Sequence, residues 1–249
     1  MRELYKNMKL QKENIIHLLF PRRCPICDKV MFTSIFMKTE LCCETCKEIP
    51  EYVREPVCKR CGKPMESERA EFCYDCQKHP GEYVQGKALW VYKDQVKQSM
   101  YRFKYQNRQE YARYYGSEIV RVYGEWMKRN KIEAIVPIPL HWTKKRQRGY
   151  NQAQLLAAEI GKQSGLPVYP NLLKRVRKTK PQKNLDDAGR KNNLKKAFKT
   201  QENNVQLSHI LLVDDIYTTG STINEAASEL KKAGIEQVYY VSVCIGRGY

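Results

Sequence analysis

"ILLVDDIYTTGSTINEAASELKKAG", residues 210–234, is the stretch that decides how this chain folds. It opens on four apolar residues without alternation, the pattern of a strand covered on both faces. The strand is expected to end on two neighbouring carboxylates, Asp214 and Asp215. Hydroxyls and a glycine follow, as Thr218, Thr219, Gly220, Ser221 and Thr222, and a helix is expected to begin near Ser221 or Thr222. The first turn of a helix leaves backbone N–H groups unpaired at the positive end of its dipole. Gly220 lets the chain curl so that several of them converge, and the hydroxyls add donors. This stretch alone fits a phosphate cradle and a plain helix cap equally well. It is neither the nucleotide loop G-x-x-x-x-G-K-[ST] nor the dinucleotide motif G-x-G-x-x-G.

The paired aspartates favour the cradle. Two carboxylates beside a phosphate repel it unless they have other work. Sugar hydroxyls would give them hydrogen-bond donors, and a divalent cation would neutralise them. A ligand with a phosphate at one end and a diol beside it is a ribose phosphate.

Working outward, "ALWVY" (88–92) reads as a strand and "QVKQSMYRFKY" (95–105) as a helix, with Val96, Met100 and Phe103 at helical spacing. "EYARYYGSEIVRVYGEWMKR" (110–129) is a longer helix and "AIVPIPL" (134–140) a short buried strand. "NQAQLLAAEIGKQSG" (151–165) is a helix ended by Gly165. A short apolar stretch lies near Val168, and "VYYVSVCI" (238–245) is the last strand. Strands alternating with helices imply an α/β fold, a mainly parallel sheet with helices on both faces. Ligands in such sheets sit beyond the carboxyl ends of the strands, where Asp214 and Asp215 lie.

Nine of the ten cysteines fall between Cys24 and Cys76. Four pairs share the spacing C-x2-C: Cys24 with Cys27, Cys43 with Cys46, Cys58 with Cys61, and Cys73 with Cys76. One tight turn brings two thiolates to one ion, and two such knuckles complete a tetrahedral sulfur site. The expectation is two structural zinc ions with no open coordination position. Sequential and interleaved pairing of the knuckles both fit, and Cys42 competes with Cys43 as a ligand. A segment this small cannot fold on apolar burial alone, so metal supplies the missing stability. The expected division is residues 1–85, an N-terminal helix and a double zinc ribbon, then residues 86–249, the α/β domain.

The formal net charge is +18, and residues 141–199 hold 16 basic and 3 acidic residues. Such a block faces a polyanion or is a solvated surface. No apolar run approaches the ~20 residues of a membrane span. The apolar patch at residues 15–20 reads as a short amphipathic helix rather than a signal peptide, so a cytoplasmic protein is expected. In "MYRFKYQNRQEYARYY", Tyr101, Phe103 and Tyr105 are candidates for stacking on bases, or are core residues.

"LLVDDIYTTGST" (211–222) resembles the phosphoribosyl pyrophosphate signature of type I phosphoribosyltransferases. With "VPIPL" (136–140), "RGYNQA" (148–153), "KTKPQKNLDDAGRKNNLKKAF" (178–198) and the upstream knuckles, the chain resembles the ComF family (ComFC/GntX-like proteins) over nearly its whole length. The resemblance implies a phosphoribosyltransferase-like sheet preceded by a double zinc ribbon. It implies that Asp214 and Asp215 bind ribose hydroxyls while Thr218, Thr219, Gly220, Ser221 and Thr222 hold the 5′-phosphate. It places Ile138, Pro139 and Leu140 at a pyrophosphate turn, and Arg148 and Arg190 as diphosphate clamps with Mg²⁺. Residues 177–189 would form a lid or an ordinary surface loop. Family membership implies DNA uptake and competence, with phosphoribosyl pyrophosphate, single-stranded DNA and a DNA-uptake helicase as partners. Two readings stand: a phosphoribosyltransferase with an unidentified acceptor, and a non-catalytic single-strand-binding module that keeps the pocket.

Overall fold

The computed structural model describes residues 21–31, 40–177, 197–201 and 206–246. The apolar patch at 15–20, Arg190 and residues 178–189 of the proposed lid lie outside the described residues. Among the described residues no helix is long and apolar enough to cross a membrane.

Four strands form one parallel sheet: β1 (Gln85–Val91), β2 (Ala134–Pro137), β5 (His209–Tyr217) and β6 (Gln237–Ile245). Their order is β1-β6-β5-β2. A small antiparallel pair, β3 (Leu173–Arg175) and β4 (Phe198–Thr200), stands apart. The helices are α1 (Tyr74–Lys78), α2 (Asp94–Tyr105), α3 (Tyr111–Arg129), α4 (Trp142–Arg148), α5 (Gln152–Ser164) and α6 (Ser221–Lys232).

The unalternating apolar run behaves as its pattern requires. Ile210 and Leu212 face one layer with Ile223, Ala226 and Leu230 of α6 and Phe198 of β4. Leu211 and Val213 face the other, with Phe103, Tyr115, Leu156 and Ile160 of α2, α3 and α5. Both faces are covered, so every second residue has an apolar partner and none needs to be polar. The stretch near Val168 contributes a single parallel bridge to Ile135.

One boundary differs from the sequence expectation. Strand β5 continues through the acids to Tyr217, with Asp214 opposite Ser242 and Tyr217 opposite Ile245. Because β6 runs as far as Ile245, the ladder has a partner for those residues and pairing continues.

The two cysteine clusters pack on opposite faces of the sheet. Cys24 and Cys46 join the layer of α2 and α3. Cys58, Cys61 and Cys76 join the layer of Tyr217, Tyr240 and α6.

Candidate active site and metal centres

Eight sulfurs form two sets, Cys24, Cys27, Cys43, Cys46 and Cys58, Cys61, Cys73, Cys76, each with all its Sγ atoms within 4.8 Å of one another. This selects the sequential pairing. Separations of 3.8 Å (Cys27 to Cys43) and 3.6 Å (Cys61 to Cys73) match the edge of about 3.8 Å expected of a tetrahedron with Zn–S near 2.3 Å. All ten cysteines are free thiols, and the donor set is sulfur alone, so both clusters fit a structural zinc ion. The first knuckle of each set uses one turn. The amide of Asp28 bonds the Cys24 carbonyl as that of Gly62 bonds the Cys58 carbonyl, both at 2.9 Å. Asp28 and Gly62 both adopt positive φ, 63° and 69°. Cys42 lies outside the four-sulfur set. It is buried, with its Sγ 3.6 Å from that of Cys24.

The acids sit at the carboxyl end of β5. Asp214 Oδ1 accepts the Asp215 amide at 2.8 Å. Burial, then the charge of Asp215, pushes the Asp214 carboxyl up to about 7, against the pull of Lys104 and Arg175. Asp215 is buried, and Lys104 Nζ at the end of α2 lies 2.8 Å from its carboxylate. Burial works to lower the Lys104 pKa, but the Asp215 charge beside it wins and the net shift is upward. Lys144 is shifted down by burial and by repulsion from Arg175, Arg148 and Lys104. Arg175 is also held below its ordinary value by burial, with Asp214 opposing. Three cations, Lys104, Lys144 and Arg175, thus crowd two carboxylates, and the repulsion felt by Lys144 is the kind an added anion relieves.

Next along the chain, Gly220 is the N-cap of α6, with φ 76° and no side-chain cap hydrogen bond. The cap residue itself has no side chain to offer the first turn. Thr219 and Ser221 bond each other through their hydroxyls at 3.0 Å. A Cβ on Gly220 would lie 2.2 Å from Tyr217 Oη, so no side chain fits there.

The turn after β2 is tied down at Ile138. Ile138 gives its amide to the Val213 carbonyl at 2.9 Å, and its carbonyl accepts from Asn151 Nδ2 at 3.0 Å. Both its backbone groups are engaged, Pro139 has no amide, and Leu140 is half-buried. Arg148 lies at the end of α4, with Nη1 donating to Gln152 and Nη2 to Tyr105 Oη, both at 3.1 Å. The motif "RGYNQA" is legible in this geometry. Gly149 ends α4 at φ 82°, Tyr150 donates its hydroxyl to the Phe103 carbonyl, and Asn151 caps α5. Of the three aromatics weighed for stacking, Phe103 is core while Tyr101 and Tyr105 are 56% and 54% exposed.

Lys104, Lys144 and Arg175 were not singled out in the sequence. Lys144 and Arg175 belong to the basic block, but nothing in their spacing separates them from its other members. Lys104 is one cation in a helix, and only the packing of α2 on the sheet brings it to Asp215.

A double zinc ribbon domain family matches residues 15–77 and a phosphoribosyl transferase domain family matches residues 147–248. The chain is 31% identical over 206 residues to Competence protein F of Haemophilus influenzae, covering 81% of this chain and 88% of that protein. It is 27% identical over 225 residues to Competence protein ComFC of Bacillus subtilis, covering 85% and 89%. It is also 27% identical over 231 residues to the DNA utilization protein YhgH of Salmonella typhimurium, covering 91% and 98%.

Proposed function

This chain belongs to the ComF family, and from that premise we propose that it binds phosphoribosyl pyrophosphate at the carboxyl end of β5 and transfers its phosphoribosyl group to an acceptor in DNA uptake. Asp214 and Asp215 accept hydrogen bonds from the ribose hydroxyls. The amides and hydroxyls of residues 218–222 hold the 5′-phosphate at the start of α6. Lys104, Lys144, Arg148 and Arg175 face the diphosphate from the side of α2, α4 and β3, beside the turn of Ile138, Pro139 and Leu140.

The reaction breaks the bond between C1 of the ribose and the pyrophosphate oxygen and forms one from C1 to the acceptor. Positive charge gathers on the sugar and negative charge on the leaving group. The aspartates stabilise the first and the cations the second, in a site already shaped for both. Mg²⁺ bound with the diphosphate would neutralise part of its charge. The observation that carries this reading is the pair Asp215 and Lys104 at 2.8 Å inside a surplus of cations, next to a helix that starts on a glycine at φ 76°.

The deciding measurement is calorimetric titration of phosphoribosyl pyrophosphate with Mg²⁺ into the wild type and into Asp214→Asn/Asp215→Asn. The wild type binds and the variant loses at least tenfold. Equal binding by both, or none by the wild type, ends the proposal. Release of pyrophosphate with a panel of candidate acceptors then separates an enzyme from a binder. A second reading, a single-strand-binding module that keeps the pocket, draws support from the exposed rings of Tyr101 and Tyr105, 5.2 Å apart. Binding of oligothymidylate with no salt dependence would remove it.

A further inference from the structure

We propose that the second cysteine cluster sets the shape of the phosphate loop through a stack of tyrosines, which makes Tyr217 and Tyr240 positioning residues for the 5′-phosphate. This rests on the reading of residues 218–222 given above and adds the device that holds them.

The path begins at a metal ligand. Tyr240, buried in the middle of β6, donates its hydroxyl to the carbonyl of Cys61 at 2.6 Å. The knuckle is locked to the sheet at the same point. The Gly86 amide of β1 bonds the Arg60 carbonyl at 2.7 Å. A Cβ on Gly86 would lie 1.8 Å from the Tyr240 ring, so the glycine is what admits the ring.

From there the path runs through aromatic faces. The rings of Tyr240 and Tyr217 lie parallel, 6° apart in plane with centroids at 4.8 Å. Tyr83 stands edge-on to Tyr240 at 5.1 Å, and its hydroxyl bonds that of Tyr217 at 2.9 Å. Tyr217 is the last residue of β5, and its Oη occupies the space directly under Gly220. A second tie reaches the first turn of α6, where Asn224 Oδ1 accepts the amide of Glu82 at 2.6 Å. Asn224 in turn gives its own amide to the Gly220 carbonyl at 2.8 Å.

The path from Cys61 to Gly220 is therefore a short series of buried contacts. A close-packed series transmits displacement instead of absorbing it. The element with two states is the knuckle, which has one shape around a metal ion and no fixed centre without it. The first cluster has a different task. It docks on α2 and α3, where Arg102 bonds the Ile26 carbonyl at 2.5 Å and Tyr111 bonds Asp28. The two clusters look alike in sequence, and among the described residues it is the second that backs onto the loop.

Titration of ribose 5-phosphate into the full zinc-loaded chain, well below its melting temperature, tests this. Tyr240→Phe and Tyr217→Phe each keep the ring and lose one hydroxyl. Both are expected to retain two zinc ions and the wild-type circular dichroism, and to weaken ribose 5-phosphate by about fivefold, the scale of one hydrogen bond. Affinity for inorganic pyrophosphate, which reports on the cations instead, stays within about twofold; general loosening would lower both. Cys73→Ser loses the phosphate affinity more than Cys43→Ser, its counterpart in the first cluster. If the Cys73 variant does not fold, the two phenylalanine variants decide. The inference is overturned if the wild type binds ribose 5-phosphate and both phenylalanine variants bind it equally with zinc retained, or if the two serine variants lose equally. If the wild type itself does not bind, the reading of the loop falls with it.

Discussion

Lys104 Nζ lies 2.8 Å from the Asp215 carboxylate, an ion pair between the end of α2 and the end of β5 that keeps only 17% and 12% of the two side chains exposed. Removing one partner of so enclosed a pair leaves a charge without compensation, which costs more than the pair itself contributes. Lys104→Met is expected to destabilise the chain by roughly 3 kcal/mol in urea denaturation. Adding Asp215→Asn should recover part of that loss, because the two residues share one interaction. A strictly additive double variant would show that the pair is not coupled.

Asp214 yields a pH prediction. Its folded carboxyl is pushed up to about 7 by burial, above its ordinary value of 3.8. The folded chain then binds a proton that the unfolded chain has released, so this group's contribution to stability declines as pH rises from about 4 to 7 and is level above. Asp214→Asn lacks the group. Relative to wild type it should gain stability between pH 5 and pH 8, by on the order of 2 kcal/mol after allowance for partial solvent access. A difference between the two proteins that stays constant across this range would contradict the assigned environment.

Zinc stoichiometry tests the pairing of the knuckles. Two ions per chain are expected. Cys43→Ser and Cys73→Ser each remove one, and the double variant removes both, because the two residues belong to different clusters. Under interleaved pairing they would share a cluster and the double variant would keep one ion. Elemental analysis by mass spectrometry distinguishes one from zero.

Two glycines separate backbone strain from close approach. Gly165 and Gly220 have nearly the same φ, 78° and 76°, but a Cβ on Gly165 meets nothing within 4 Å while one on Gly220 meets Tyr217 Oη. Gly165→Ala should cost about 1 kcal/mol, the strain alone. Gly220→Ala should cost more and also abolish ribose 5-phosphate binding. Equal thermal shifts for the two would mean that the loop moves freely off Tyr217.

Much of the fold could be read locally. The run at Ile210 to Val213 pointed to a strand covered on both faces, and both layers cover it. Gly165 was expected to end a helix, and does so at φ 78°. The acids, the loop and the helix are consecutive in the chain, so their order was visible in residues 210–234. What the local pattern did not settle were features set by a neighbour. The length of β5 depends on how far β6 runs beside it. The amide of Ile138 is engaged by Val213, a partner 75 residues away. Phe103 and Tyr105 share a helix and a similar composition, yet one is core and the other exposed, because α2 presents one face to the sheet.

From its sequence alone this chain is an alternating α/β protein with four metal knuckles and an acid-acid-hydroxyl-glycine turn, since periodicity, ligand spacing and turn chemistry act within a few residues. Only the folded chain decides that neighbouring knuckles share an ion, that Lys104 is the cation on Asp215, and that Tyr240 joins Cys61 to the floor of the loop. Those contacts link residues from 12 to 179 positions apart. No local pattern encodes such a contact, because it exists only once the sheet has brought the two segments together.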